Sequence, residues 1–247
     1  MKEIAIQTAD GVTDGYAFYP ENKSSLAPVI FYMDVFGVRD SLFAMAQRMA
    51  DWGYYVLVPN LYYRKGKKIS FLPSVTAKSE LRRNEMLQTM QSLTMQEVMA
   101  DTKYYLDFVF KQENTGKKAA CTGYCMGGPF SLSAAGTFPD QIVAAASFHG
   151  ARLATDKPDS PHLLASKMKA KIYVGIAEID PHFTDEEKLR LENSLKENNI
   201  DYRMEVYPGV KHGFSVPDSH AYDRVASEHH FDTLKGFLKD AFLEVSF

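Results

Sequence analysis

Cys125 stands in Gly123-Tyr124-Cys125-Met126-Gly127-Gly128, between an apolar, strand-like run at Lys118 to Thr122 and a stretch from Phe130 to Ala135 that reads as helix. That is the strand, sharp turn and helix required of a G-x-nucleophile-x-G elbow. A nucleophile at the apex of so tight a turn has a strained backbone, so its neighbours two positions away must lack side chains that would collide. Gly123 and Gly127 meet that need. The thiol would project above the sheet at a helix N-terminus, which favours the thiolate, and the Met126 N–H would point to where an oxyanion forms. Cys121, inside the strand, reads as a buried, inert cysteine.

A cysteine nucleophile needs a base, and the base needs a group to orient it. Later strand-like runs supply both in the chain order nucleophile, acid, histidine that this type of elbow expects. Asp180 follows the run Ala170 to Ile176, and His212 follows Tyr202 to Tyr207. Glu178 is a rival acid and His182 a rival base. His149, at the end of the run Ala144 to Phe148, either lines the pocket or is a satisfied, half-buried histidine. No His-rich spacing suggests a metal centre, and no cofactor motif occurs.

The elements that must position these residues alternate. Glu3 to Thr8 and Gly15 to Tyr19 read as an antiparallel edge pair joined at Asp10-Gly11, and Pro28 to Met33 as a central strand buried on both faces. A helix over Ser41 to Trp52 leads to strand Tyr54 to Val58, a basic loop spans Asn60 to Thr76, and helices follow over Ser79 to Leu93 and Thr94 to Phe110. Further helices are expected over Thr184 to Asn198 and Ala221 to Phe242. The economical topology is a mostly parallel, twisted sheet of about eight strands with helices on both faces, in one α/β domain over residues 1–247. Candidate residues then gather at the strands' carboxyl ends.

Composition favours small-molecule chemistry. The apolar share is 45%, the charged share 24% and the net charge −3, so bulk attraction to nucleic acid or anionic membrane is missing. Two cysteines make no disulfide framework, and there is neither a secretory signal nor an apolar run near the twenty or so residues that cross a bilayer. A cytoplasmic, monomeric protein is expected.

Together these motifs resemble the dienelactone hydrolase family, from about Gly15 to the final helix. Gly123 to Gly128 matches its nucleophile motif, Asp180-Pro181-His182-Phe183 its acid loop and His212-Gly213-Phe214 its base motif. The resemblance implies an α/β-hydrolase fold with Cys125, His212 and Asp180 as a triad. Asp34-Val35-Phe36-Gly37 stands where the family has Glu-x-Phe-Gly, whose acid contacts the thiol and whose second residue donates an oxyanion-hole N–H. By that resemblance Val35 and Met126 form the oxyanion hole, and Asp34 contacts the sulfur with one carbon less. Asn60-Leu61-Tyr62-Tyr63-Arg64 resembles the family's Asp-Leu-Tyr-x-Arg, which makes Arg64 a candidate carboxylate clamp, with Tyr62 and Phe36 beside the substrate. A second family arginine, four residues past the histidine, is replaced by Val216.

The expected activity is cysteine-dependent hydrolysis of small esters or lactones through a thioester. The alternative is a ligand-binding or thiol-reactive sensor on the same fold with little turnover, and a structural or protein-interaction role ranks last.

Overall fold

The computed structural model describes residues 1–21 and 25–244. Eight strands form one sheet in the order β1-β2-β4-β3-β5-β6-β7-β8: β1 (Lys2–Thr8), β2 (Gly11–Phe18), β3 (Ala27–Tyr32), β4 (Tyr54–Pro59), β5 (Ala119–Tyr124), β6 (Ile142–Phe148), β7 (Lys171–Ile179) and β8 (Tyr202–Lys211). The β1-β2 pair is antiparallel and the pairs from β3 onward are parallel, as expected, while β2 also runs antiparallel to β4, which the sequence did not indicate. Every residue of β4 and β5 is buried, so both faces of the sheet's middle are covered.

The covering helices are α1 (Asp40–Asp51), α4 (Met95–Val109), α5 (Gly127–Thr137) and α7 (Arg224–Leu243). Helix α1 buries Leu42, Met45 and Met49, one stripe at helical spacing, and Trp52 at its end meets Phe231 of α7 edge-on at 6.0 Å. Helix α6 (Asp185–Glu197) opens with a capping box at Thr184 and Glu187, and α4 with another at Thr94 and Glu97. The segment read as a basic loop also holds a one-turn helix, α2 (Pro73–Thr76), ahead of α3 (Glu80–Gln91). Helix α3 buries only Met86, because its sequence has no apolar stripe to offer the core. Among the described residues no helix is long and apolar enough to cross a membrane.

β2 begins at Gly11 and β6 at Ile142, earlier than their apolar patterns indicate, and two strands run well past theirs at the carboxyl end. β7 extends to Ile179 and β8 to Lys211, and the pairing resumes there at Ile179–Lys211 after a register shift that follows Ala177–Tyr207. Ladder hydrogen bonds, rather than burial, carry these ends: Glu178 and Ile179 are exposed.

Beneath the elbow, α7 anchors β5 through a buried histidine. His230 donates from Nδ1 to the Ser227 carbonyl at 2.8 Å, so its Nε2 accepts the Tyr124 hydroxyl at 2.9 Å. Burial pushes the His230 pKa down to about 3, so the ring is neutral in the fold. An unfolded chain takes up that proton below the ordinary value of 6.5, so this contribution to stability is complete above 6.5 and is lost as pH falls towards about 3. We expect the unfolding free energy to fall over that window by up to about 1.4 kcal/mol per pH unit from this residue, and His230→Gln to flatten the slope in urea titrations.

Candidate active site

Between β5 and α5 the chain turns at Cys125 with φ 54°, a left-handed conformation that costs an L-residue roughly 1–2 kcal/mol. The flanking glycines are obligatory by distance. A Cβ on Gly123 would lie 2.0 Å from the Gly127 carbonyl oxygen, and one on Gly127 would lie 2.3 Å from that of Tyr32. The Cys125 N–H donates to Phe148 at 3.1 Å, and its carbonyl accepts Gly128 N–H at 3.1 Å, which fixes the apex from both sides. Cys125 is half-buried, whereas Cys121 is fully buried and its thiol pKa is pushed up by burial. The Met126 N–H, at the start of α5, meets no acceptor among the described residues.

The β7-β8 register pairs Ile179 with Lys211, so the next residues, Asp180 and His212, leave the sheet side by side. Asp180 Oδ2 accepts His212 Nδ1–H at 2.8 Å, and Asp180 Oδ1 accepts the His182 N–H at 2.9 Å, with the carboxylate only 1% exposed. The other ring nitrogen, Nε2, is not taken up by Asp180, and the Cys125 sulfur lies close enough to raise the ring's pKa. Burial alone would lower the His212 pKa. The charge of the Cys125 sulfur, with hydrogen bonding to Asp180 and Cys125, outweighs it and pushes the value up to about 10. At neutral pH the ring therefore carries both protons, with Asp180 accepting the one on Nδ1.

The rival residues take other places. Glu178 is exposed and accepts the Gly209 N–H at 2.7 Å. His182 is exposed at the rim, its ring 4.8 Å from that of His212. His149 lies on the inner side, 5.2 Å from His212 and 1% exposed, with its Nε2 2.8 Å from Ser215 Oγ and its Nδ1 lacking a partner among the described residues. Burial and the neighbouring His212 hold its pKa well below the usual range, so it is a neutral wall of the site.

Three expectations for the substrate side need correction. Asp34 does not offer its carboxylate to the sulfur: Arg39 holds both oxygens at 2.7 and 2.9 Å, and Oδ1 also accepts the Phe36 N–H at 2.9 Å. The short side chain folds back over its own turn, where a guanidinium lies five residues on. Arg64 is not a free clamp, because it bonds Asp101 at 2.7 Å and Asp10 at 2.5 Å and lies over the Tyr63 ring. Asp101 is buried on α4 and needs that counter-charge. Tyr62 is 1% exposed and turns its hydroxyl inward, donating to the Val35 carbonyl at 3.0 Å and lying 3.3 Å from Met126 Sδ. Phe36 is half-buried with the Arg39 guanidinium 5.3 Å from its ring, and Val216 is buried.

Arg39, Asp218 and Ser215 were not singled out by sequence. Only the closeness of Arg39 to Asp34 in the chain was a signal, and the other two partners are revealed by the fold alone. The Val35 N–H, like that of Met126, has no acceptor among the described residues.

Known proteins share this arrangement of elements. The sequence pattern of the Dienelactone hydrolase family matches residues 13–242. Protein usf of Aquifex pyrophilus is 27% identical over 198 residues, covering 79% of each chain. An Escherichia coli protein provisionally named a carboxymethylenebutenolidase is 25% identical over 219 residues, 86% of this chain and 77% of its own. A dienelactone hydrolase-like promiscuous phosphotriesterase from metagenomic libraries superposes with TM-score 0.76 at 20% identity, covering 97% of this chain and 98% of its own, a likeness of fold. With nearly the whole chain inside the family pattern and an eight-stranded sheet of the same architecture, the protein belongs to the dienelactone hydrolase family and is a hydrolase.

Proposed function

We propose that this hydrolase cleaves small carboxylic esters or lactones through Cys125, with His212 and Asp180 completing a triad. The observation that carries this reading is a half-exposed thiol at a left-handed apex, beside an imidazole that a buried carboxylate holds by Nδ1. The thiolate attacks the substrate carbonyl carbon, and the oxyanion rests on the Val35 and Met126 N–H groups. The ester C–O bond then breaks, and His212 Nε2–H protonates the departing alkoxide. The now neutral ring takes a proton from water as it attacks the thioester, the C–S bond breaks, and the thiolate returns facing the imidazolium.

Each oxyanion donor in such sites is typically worth about 3 kcal/mol. The free N–H groups of Val35 and Met126 support that role, since a donor already spent on a protein carbonyl could not take it. Asp180 orients the ring and steadies its positive charge without itself changing protonation. The substrate is a small molecule recognised without help from Arg64, whose guanidinium is committed to Asp101 and Asp10.

Two experiments bear on this. A brief pulse of 4-nitrophenyl acetate followed by intact mass spectrometry should show one acetyl adduct that Cys125→Ala abolishes, while His212→Asn slows its formation by at least about a thousandfold. An adduct that persists without Cys125 would refute the assignment. On paired neutral and carboxylate-bearing aryl esters, Arg64→Ala should leave the ratio of kcat/KM values within about twofold and lower the melting temperature, because Asp101 loses its buried counter-charge. A loss confined to the anionic ester would restore Arg64 as a clamp.

A further inference from the structure

The guanidinium of Arg39 has every donor placed. Nε–H and one Nη2–H bond Asp218 at 2.7 and 2.8 Å, the other Nη2–H and one Nη1–H bond Asp34 at 2.9 and 2.7 Å, and the remaining Nη1–H donates to the Gly37 carbonyl at 3.1 Å. All five N–H groups of the fork are therefore used, and the residue is 5% exposed. Two paired, two-pronged ion bonds on one buried arginine exceed what anchoring the start of α1 requires, since that helix already buries a full apolar stripe.

The segments it joins carry the two halves of the proposed chemistry. On one side is the turn 34–37. A trans peptide is planar, with its C=O and N–H pointing in opposite directions, so whatever holds the Asp34 carbonyl also aims the Val35 N–H. That carbonyl accepts the Gly37 N–H at 3.2 Å, and the turn is closed by the Asp34 carboxylate on the Phe36 N–H. Arg39 holds both ends of it, through the Asp34 carboxylate and the Gly37 carbonyl. On the far side of Val35, Tyr62 holds the carbonyl. On the other side of Arg39 is Asp218, at the end of successive turns that run from Lys211 past His212 through the bonds Phe214 N–H to Lys211, Val216 N–H to Gly213 and Ser219 N–H to Val216.

The geometry points to Arg39 as the positioning residue of the oxyanion hole, aiming the Val35 amide through Asp34 and holding that turn in register with the His212 loop through Asp218. This rests on the proposed thioester chemistry. It follows that Asp34 serves the donor rather than the thiol, and that lysine cannot replace Arg39: an ammonium offers three donors from a single atom and cannot grip both carboxylates and the Gly37 carbonyl.

Two reactions of Cys125 separate this role from general support of the fold. Hydrolysis of 4-nitrophenyl acetate builds an oxyanion, whereas alkylation by iodoacetamide uses the same sulfur and builds none. Arg39→Lys and Arg39→Met should lower kcat for the ester about 10- to 100-fold with KM within about twofold, while the rate of alkylation stays within about twofold of wild type. Asp218→Asn, which leaves the grip on Asp34 and keeps one amide oxygen as acceptor, should lose less than about tenfold in kcat and serves if the Arg39 variants do not fold. The inference is overturned if alkylation and hydrolysis fall in parallel, if only KM rises, if Arg39→Lys restores full activity, or if Asp218→Asn reduces both reactions alike. A wild type that is alkylated but never acylated would sink the hydrolase reading itself, an outcome the wild-type control displays before any variant is compared.

Discussion

A cysteine held at φ 54° cannot rest comfortably, and much around it exists to keep it there. Left-handed backbone at a non-glycine residue persists only where its surroundings over-determine it. Here the Cys125 N–H and C=O are both bonded, Gly123 and Gly127 bring backbone to within distances that no Cβ would tolerate, and β5 below is buried along its whole length. The stacked rings of Phe31, Tyr124 and Phe148 and the His230 bond to Tyr124 stiffen the strand that delivers the thiol. The result is a sulfur presented to solvent on a base with few ways to relax.

Around that sulfur, one low-dielectric environment sets three imidazoles at different charges. Burial lowers the pKa of all three, and only His212 has the anionic partners that reverse it. His230 is satisfied by a carbonyl and a phenol, and His149 by a serine hydroxyl, neutral partners that give no reason to protonate. Positive charge is thus confined to the ring between Asp180 and Cys125, and the neutral His149 beside it adds bulk without competing for the proton. The β7-β8 pairing makes this possible, since the register shift after Ala177–Tyr207 sets Ile179 opposite Lys211 and so brings Asp180 and His212 out together.

Much of this was legible in the sequence because it is local. The elbow glycines, the strand before them and the helix after them fall within a few residues, and the acid and histidine each follow an apolar run. The mostly parallel sheet follows from alternation and the antiparallel β1-β2 pair from one turn signal at Asp10-Gly11, whereas the strand order and the antiparallel β2-β4 pair come from the fold. Charge pairing was not legible, for the opposite reason. Arg64 is a loop cation in sequence, and its neutralisation by Asp101 becomes visible only when α4 is laid beside the β4 loop. Asp34 and Arg39 are close in the chain, yet Asp218, which completes their network, is 179 residues from Arg39. The inward turn of the Tyr62 hydroxyl likewise depends on where the Val35 carbonyl ends up. Side chains that a motif assigns to substrate are thus spent on holding the frame.

The central claim is that the His212 ring is held protonated between the Asp180 carboxylate and the Cys125 sulfur. Heteronuclear NMR of the imidazole nitrogens across a pH titration tests it most directly. His212 should remain doubly protonated through neutral pH and titrate near about 10. In Cys125→Ala its midpoint should fall, because the sulfur's charge is the largest influence raising it. A wild-type His212 that loses its proton near the ordinary 6.5, with no change on removing the sulfur, would contradict the account.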